Sequence, residues 1–369
     1  AQACSAEGNR VFASSGLPTS PTASSMRRLL ALSLGHAAAL PRPLLNESSI
    51  CEGGACDQLN MAYERVSDIQ PGYQWDDAGG YCGSWAVQRA ALGKGAWISQ
   101  QQVRDHTSPG GGHDNEILST NIEEAFKKLK ISFEGFDYVN EPLPQQDAYA
   151  RWLKKQLVAG YAVAWMIMWS GQSYPIYDLK PPAGMYGHVE PVVGIQSNHP
   201  LNDTTVYSDD VVLHYTDAGT NTVHRALSSL GGSWAGPGRR ANCGWRHSYC
   251  MAEYAFGWAV KGFEDDKPYV QASLAIQPYE SEPDTRSGET PVLLKGTLTV
   301  TELTAGSTYS IYRWDSVEDA FTYSDSFKKT SFQAKTDRFV YSDGTGFQSS
   351  GTTYYRVLLE AAAEEAVVV

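Results

Sequence analysis

The sequence predicts an α+β fold followed by a small all-β sandwich-like domain. Three observations support this fold class. Segments with helical periodicity come first between residues 73 and 263, and apolar or alternating strand-like segments follow them. Beyond residue 290, β-branched and aromatic runs are separated by Gly, Asp and Ser turns. Between these parts lies a stretch rich in Asp, Glu, Pro and Ser, a composition typical of a linker. The predicted division of the chain is a leader at 1–40, a first domain at 41–265, a linker at 266–290, a second domain at 291–360 and a tail at 361–369.

The helices of the first domain are predicted from apolar spacing and from capping signals. Ser99 is a suitable N-cap, and segment 121–129 has acidic residues early and lysines late, as the helix dipole prefers. The continuous apolar run 162–169 is typical of a buried central strand. The predicted helices span 84–92, 99–106, 121–129 and 147–159. The predicted strands span 131–138, 162–169, 189–195 and 211–215, and in the second domain 292–300, 308–314, 331–340 and 353–359.

The leader is predicted to contain a secretory signal peptide. Residues 1–25 are rich in Ser, Ala, Gly, Thr and Pro, a composition that buries little surface. A Met-Arg-Arg triplet at 26–28, an apolar run at 29–35 and small residues ending at Ala39 then match a signal and its cleavage site. The alternative is that this run is an ordinary short amphipathic helix. Secretion predicts an extracellular location, or the lumen of a vacuole or lysosome.

The charge balance argues against nucleic-acid binding. The chain carries 29 Lys and Arg residues against 41 Asp and Glu residues, a formal net charge of −12. Nucleic-acid binding requires a basic face, and no local run of Lys or Arg supplies one. No apolar run reaches the roughly 20 residues that a transmembrane helix needs, so we expect no membrane span.

The six cysteines predict two local disulfides and one unpaired thiol. The motifs CEGGAC at 51–56 and CGWRHSYC at 243–250 each bring two cysteines close together in sequence. Cys4 would be removed with the leader, which leaves Cys82 as the odd thiol. A zinc site built from the four paired cysteines is less favoured, because neither spacing resembles a zinc knuckle. We therefore expect no metal and no cofactor.

The stretch GGYCGSW at 79–85 places Cys82 between a glycine-rich turn and a predicted helix start. A thiol attacks well only as a thiolate, and a helix N-terminus stabilises that anion through its N–H groups and dipole. Glycines let the backbone turn tightly in front of the sulfur. The alternative is a buried structural cysteine. The stretch indicates a candidate nucleophile.

A cysteine nucleophile needs a base, a group that orients the base, and donors for the oxyanion. His188 follows a glycine and opens an apolar strand, Asp217 follows another apolar strand, and Asn221 is a fallback for Asp217. The side-chain amide of Gln74, eight positions before Cys82, could stabilise the oxyanion together with the backbone N–H of Cys82. Each also has an ordinary structural interpretation: a satisfied core histidine, a turn carboxylate and a solvent-facing loop glutamine.

The motif YCGSW at 81–85, followed by ISQQQV at 98–103, resembles the cysteine peptidases of the bacteriocin-processing (double-glycine) type. The resemblance covers roughly residues 70–220 and implies a papain-like fold with the nucleophile on a central helix. It implies Cys82 as nucleophile, His188 as base, Asp217 as the group that orients it, and Gln74 as oxyanion donor. The chain departs from the family in the longer spacing from Gln74 to Cys82. It departs again in the longer spacing from His188 to Asp217, which contains a polar insertion.

The sequence therefore predicts a secreted cysteine hydrolase that cleaves peptide bonds, or isopeptide or other amide bonds, through an acyl-enzyme. Two alternatives stay open. One is a non-catalytic extracellular binding protein on a papain-like scaffold, and the other is an acyltransferase of transglutaminase type. In the binding-protein alternative, the second domain binds carbohydrate or protein through four aromatic residues: Tyr309, Tyr312, Trp314 and Tyr323.

Overall fold

The computed structural model describes the following residues, and every structural statement below concerns them: 50–52, 61–74, 81–107, 121–137, 140–141, 146–170, 185–202, 204–215, 222–229, 249–251, 257–265, 267–278 and 292–361. The predicted leader at 1–40, the candidates Asp217 and Asn221, and all but the first residue of the predicted tail lie outside these ranges. The structure contains more strand than helix, so the prediction of a mixed fold is confirmed.

All four predicted helices are present. Ser99 caps the second helix, because its hydroxyl oxygen accepts from the backbone N–H of Gln102 at 3.1 Å. In the third helix, Glu124 pairs with Lys128 one turn later at 2.7 Å. The helices are α1 (Cys82–Leu92), α2 (Gln100–Asp105), α3 (Ile122–Lys128) and α4 (Gln146–Val158).

The strands form one large sheet and two small ones. Those of the large sheet are β1 (Ile50–Glu52), β2 (Tyr63–Val66), β4 (Ile131–Gly135), β5 (Val163–Ser170), β6 (Met185–Ser197), β7 (Val211–Tyr215), β8 (Thr222–Ala226), β9 (Tyr249–Met251) and β10 (Gly257–Phe263). The others are β3 (Ala96–Ile98), β11 (Ala272–Pro278), β12 (Leu293–Val300), β13 (Thr308–Trp314), β14 (Lys328–Gln333), β15 (Phe339–Gln348) and β16 (Thr352–Ala361).

The large sheet has the strand order β1-β8-β7-β6-β5-β10-β4, with β2 also paired to β6 and β9 to β5. All described pairings in it are antiparallel except β1 with β8. Successive side chains of a strand point to opposite faces, so the central strand β5 serves two cores. Met166 packs with α1 on one face, whereas Trp165 and Ile167 pack with α4 on the other.

The second domain shares a sheet with the first. Its strands β12 and β15 form a sheet with β11, in the order β11-β12-β15, and the other sheet has the order β14-β13-β16-β3. Strand β3 comes from the first domain and pairs with β16, with Trp97 opposite Thr353. Two side chains extend this contact, because Trp97 Nε1 and Ser99 Oγ donate to the carbonyls of Ser349 and Ser350 at 3.2 and 2.9 Å. Strand β11 lies within the predicted 266–290 linker, yet it pairs with β12.

The aromatic rings expected to form a binding surface on the second domain lie in its core instead. Tyr309, Tyr312 and Trp314 are buried, and Tyr323 is half-buried. Tyr323 packs edge-on against Trp314 with ring centroids 5.3 Å apart, and Tyr312 stacks on Trp314 at 6.0 Å. The prediction that these four residues form a ligand-binding surface is wrong, because packing in the core removes the faces of their rings from solvent.

A buried polar network stabilises the second domain. Arg313 donates to Asp343 Oδ2 at 2.8 Å and to the carbonyl oxygen of Gly346 at 2.6 Å. The hydroxyl of Tyr355 donates to the same Asp343 oxygen at 2.9 Å. Burial alone would raise the pKa of Asp343, but hydrogen bonds from Thr345, Arg313 and Tyr355 outweigh it and lower the pKa to about 2. Folding therefore favours the ionised carboxylate.

We predict that Asp343→Asn removes a pH-dependent part of the stability. The carboxylate pKa is 3.8 in the reference state and about 2 in the fold, so its contribution is complete above pH 3.8 and is lost as the pH falls through 2. The substitution should lower the free energy of unfolding near neutral pH by roughly 1–2 kcal/mol and flatten its acid dependence. Urea denaturation at several pH values measures this. Asp325→Asn, at a fully exposed side chain, is the control. An unchanged acid limb in Asp343→Asn would contradict the assignment.

Candidate active site

Cys82 is the first residue of α1, and every residue of that helix is buried. The preceding residue, Tyr81, makes no side-chain hydrogen bond to the helix end. The N–H groups of the first turn therefore receive no cap from that side chain, and they lie beside the sulfur. A helix N-terminus lowers the pKa of a cysteine thiol, since the dipole and the N–H groups stabilise the thiolate. The position suits a nucleophile.

The sulfur of Cys82 is not a thiol in this structure, because it is disulfide-bonded. The expectation that Cys82 is the unpaired cysteine is therefore wrong. Cys82 is the only cysteine whose side chain the structure describes, so its partner is one of the other five in the sequence. If the partner is not Cys4, it is one of the four cysteines at 51–56 or 243–250. In that case one of the two predicted local disulfides cannot form. Those local disulfides stay predictions.

The segment before the candidate nucleophile runs along α1 toward its N-terminus. Arg89 donates to the carbonyl oxygens of Gln70 and Pro71, both at 3.3 Å, and one turn earlier Trp85 Nε1 donates to that of Gly72 at 2.8 Å. From α2, Gln100 Nε2 donates to the carbonyl oxygen of Tyr73 at 2.8 Å. These bonds direct the chain toward the Cys82 end of the helix.

Gln74, which ends this segment, is 7% exposed. Its side-chain oxygen makes no hydrogen bond to any described residue. A buried amide with an unused oxygen costs free energy unless a ligand or another group satisfies it. Of the predicted site residues, Cys82 and Gln74 are the two that local contacts bring to the same end of α1.

His188 lies in the N-terminal half of β6 and is completely buried. Its Nε2 is 3.5 Å from Oε1 of Glu190, two residues later on the same face of the strand. The other oxygen of Glu190 lies 2.8 Å from Nδ1 of His214 on β7 and accepts from Nε1 of Trp165 on β5 at 3.2 Å. His188 thus belongs to a buried network on three neighbouring strands.

This network faces away from α1. Val189 packs in the same core as Cys82, and its neighbours in sequence point to the opposite face of the sheet. His188 lies directly opposite Ile167, which packs in the core under α4. The structure therefore brings β6 against α1, but it directs the His188 ring to the other face. The assignment of His188 as base stays a prediction.

Asp217 and Asn221 lie outside the described residues, so their assignment also stays a prediction. Strand β7 ends two residues before Asp217 and runs antiparallel to β6, with His214 opposite Val192. The C-terminal end of β7 therefore lies level with the N-terminal half of β6, where His188 is found. This register is compatible with the order in which the sequence places the two residues.

The Glu190 network was missed from the sequence, although it leaves a signal. In the apolar strands β6 and β7, Glu190 and His214 are polar residues surrounded by apolar neighbours. Such residues must pair with each other when the strand is central, because an isolated buried charge is costly. On the neighbouring strand β8, burial lowers the pKa of His224 and His214 lowers it further, but His224 lies opposite Leu213 and so faces the other side of the sheet from Glu190.

Among the described residues, no group of three or more His, Cys, Asp or Glu side chains could hold a metal ion. In the same part of the chain, no helix is long and apolar enough to cross a membrane.

Comparisons with known proteins give only weak similarities. No family model matches the sequence, and no curated protein matches it. Among solved structures, the clostridial cysteine protease Cwp84 after propeptide cleavage matches with a TM-score of 0.28 and 8% identity, over 78% of this chain and 80% of that one. The cysteine protease and lectin-like domains of Cwp84, a surface-layer-associated protein of Clostridium difficile, match with a TM-score of 0.25 and 11% identity, over 79% and 72%. Similarity at these TM-scores does not establish a common fold.

We predict that Glu190→Gln destabilises the protein by about 1.5–3 kcal/mol, the range for a hydrogen bond to a buried charge. The amide keeps the shape of the side chain but loses the charge that two imidazoles and the Trp165 indole face. Urea denaturation measures the change, and Glu264→Gln at an exposed carboxylate is the control. A Glu190→Gln protein as stable as the original would show that desolvation of the carboxylate cancels its interactions.

Proposed function

We propose that the protein is a cysteine hydrolase that acts on peptide, isopeptide or other amide bonds, with Cys82 as its nucleophile. The observation that carries this proposal is the position of Cys82 at the first residue of a buried helix, with the Gln74 segment bound along that helix. The YCGSW motif and its resemblance to bacteriocin-processing peptidases add the reaction class. Secretion, or delivery to a vacuolar or lysosomal lumen, belongs to the same proposal.

The chemistry would be acyl transfer. The thiolate of reduced Cys82 attacks a substrate carbonyl, and the oxyanion accepts hydrogen bonds from the Gln74 amide and the Cys82 backbone N–H. The base that took the proton of the Cys82 thiol donates that proton to the leaving amine, and it later takes a proton from the water that releases the acyl-enzyme. The resemblance assigns that role to His188, oriented by Asp217. Since the His188 ring faces the Glu190 network on the side of the sheet opposite α1, the assignment requires a change in the backbone of β6 and not only a rotation of the side chain.

A specific observation favours a second candidate, a non-catalytic binding protein built on the same scaffold. Cys82 is completely buried and disulfide-bonded, and His188 has polar partners away from it. A cysteine used only for structure would have these properties. Acyl transfer to an amine acceptor is a variant of the first candidate that an assay of the products separates from hydrolysis.

We predict that Cys82→Ser abolishes turnover, lowering kcat by roughly 10³-fold or more, because the hydroxyl is a far weaker nucleophile than the thiolate. Hydrolysis of a fluorogenic peptide library by the reduced protein measures this, together with labelling by a thiol-directed suicide inhibitor. Ser84→Ala, two residues along the same buried helix, is the control for packing. Turnover that persists in Cys82→Ser would favour the binding protein. A reduced original protein that shows no turnover would favour it too.

A separate prediction concerns Gln74→Ala. Loss of one oxyanion donor should reduce kcat by roughly 10²–10³-fold with little change in KM, because the bond forms only in the transition state. Gln102→Ala on α2 is the matched control. Equal kcat values for the two variants would remove Gln74 from the proposed site.

A further inference from the structure

The disulfide at Cys82 uses the sulfur atom that attacks the substrate in the proposed reaction. A disulfide sulfur carries no thiolate, so it cannot attack a carbonyl. The described state is therefore chemically closed, although Cys82 already lies at the helix N-terminus.

The location of Cys82 determines which sulfur would leave when the disulfide is reduced. Helix α1 has 11 residues, and its N-terminus stabilises an anion at Cys82. The thiol of lower pKa is the better leaving group in thiol–disulfide exchange. In the disulfide-bonded state Cys82 is completely buried, so an external thiol does not reach its sulfur directly in that state. Attack therefore falls on the partner sulfur, and Cys82 is released as the thiolate that the hydrolase needs.

We propose that this disulfide is a redox lock, which keeps the site inactive until a thiol reductant opens it. The inference rests on the hydrolase function proposed above. One reductant thiolate bonds to the partner sulfur, the protein S–S bond breaks, and Cys82 leaves as a thiolate. A second reductant thiol then displaces the first from the partner cysteine. The protein gains two electrons and one proton, which lies on the partner thiol while Cys82 stays a thiolate, and the reductant is oxidised to its own disulfide.

The lock is tested on the full chain, secreted into an oxidising compartment and purified without reductant. One half of the sample is treated with dithiothreitol, and the other half is left untreated. One portion of each half is denatured and labelled with iodoacetamide, and peptide mass spectrometry measures the labelling of Cys82. The other portion is assayed for turnover of a fluorogenic peptide. We expect neither labelling nor turnover without reductant. With reductant we expect both, and a rise in turnover of at least 100-fold.

The partner cysteine provides a variant outside the proposed catalytic machinery. We expect exactly one of five substitutions to give turnover without reductant, while the other four still need it: Cys4→Ser, Cys51→Ser, Cys56→Ser, Cys243→Ser and Cys250→Ser. This series also identifies the partner, because removing it leaves Cys82 as a thiol. A variant that does not fold is recognised by its loss of secretion. In that case the labelling result on the original chain decides whether the lock exists.

The outcomes separate the lock from the hydrolase. Labelling of Cys82 without reductant, or equal turnover in both halves, would overturn the lock and leave the hydrolase. Labelling that requires reductant, with no turnover in either half, would overturn the hydrolase and the lock with it, and the bond would be structural. Turnover that appears only with reductant, and without reductant in one serine variant, establishes the lock.

Discussion

The complete burial of α1 is the constraint on which most of this structure depends. The large sheet covers one side of the helix through β5, β6 and β10, and α2, β3 and β11 cover other parts. A helix covered all round must be apolar or must satisfy each polar group internally. The two terminal nitrogens of Arg89 meet this condition, since they donate to Gln88 and to two carbonyl oxygens of the preceding segment. Burial lowers its pKa to about 10, and its bonds help direct Gln74 toward Cys82.

The same constraint makes the two predicted domains depend on each other. Strand β3 follows α1 directly and completes a sheet of the second domain, so the helix and that domain share one apolar core. A buried ion pair strengthens the junction, because Arg356 donates to both oxygens of Asp265 at 2.7 and 2.9 Å. The hydrogen bond from Tyr323 to the same carboxylate brings one of the second domain's aromatic rings to this contact. The second domain therefore helps to bury the helix.

Local features were predictable from the sequence, and pairings across long separations were not. The Ser99 cap and the helices follow from spacing and capping, which act over a few residues. The apolar run 162–169 predicted a central strand, which the structure places at Val163–Ser170. In contrast, β3 and β16 are some 250 residues apart, and nothing local in either strand specifies the other. The alternation of β6 shows that His188 and Val189 point to opposite faces, but it does not show which face α1 covers.

The sequence by itself determined the kinds of element, their order, and the position of Cys82 at a helix start, because periodicity, caps and glycine turns act locally. Only the tertiary structure decided that Cys82 is disulfide-bonded and that the His188 ring joins Glu190 on the far side of the sheet. It also decided that the aromatic rings of the second domain fill a core. These outcomes depend on which surfaces pack together. The residues that bury a given surface lie far from it in sequence.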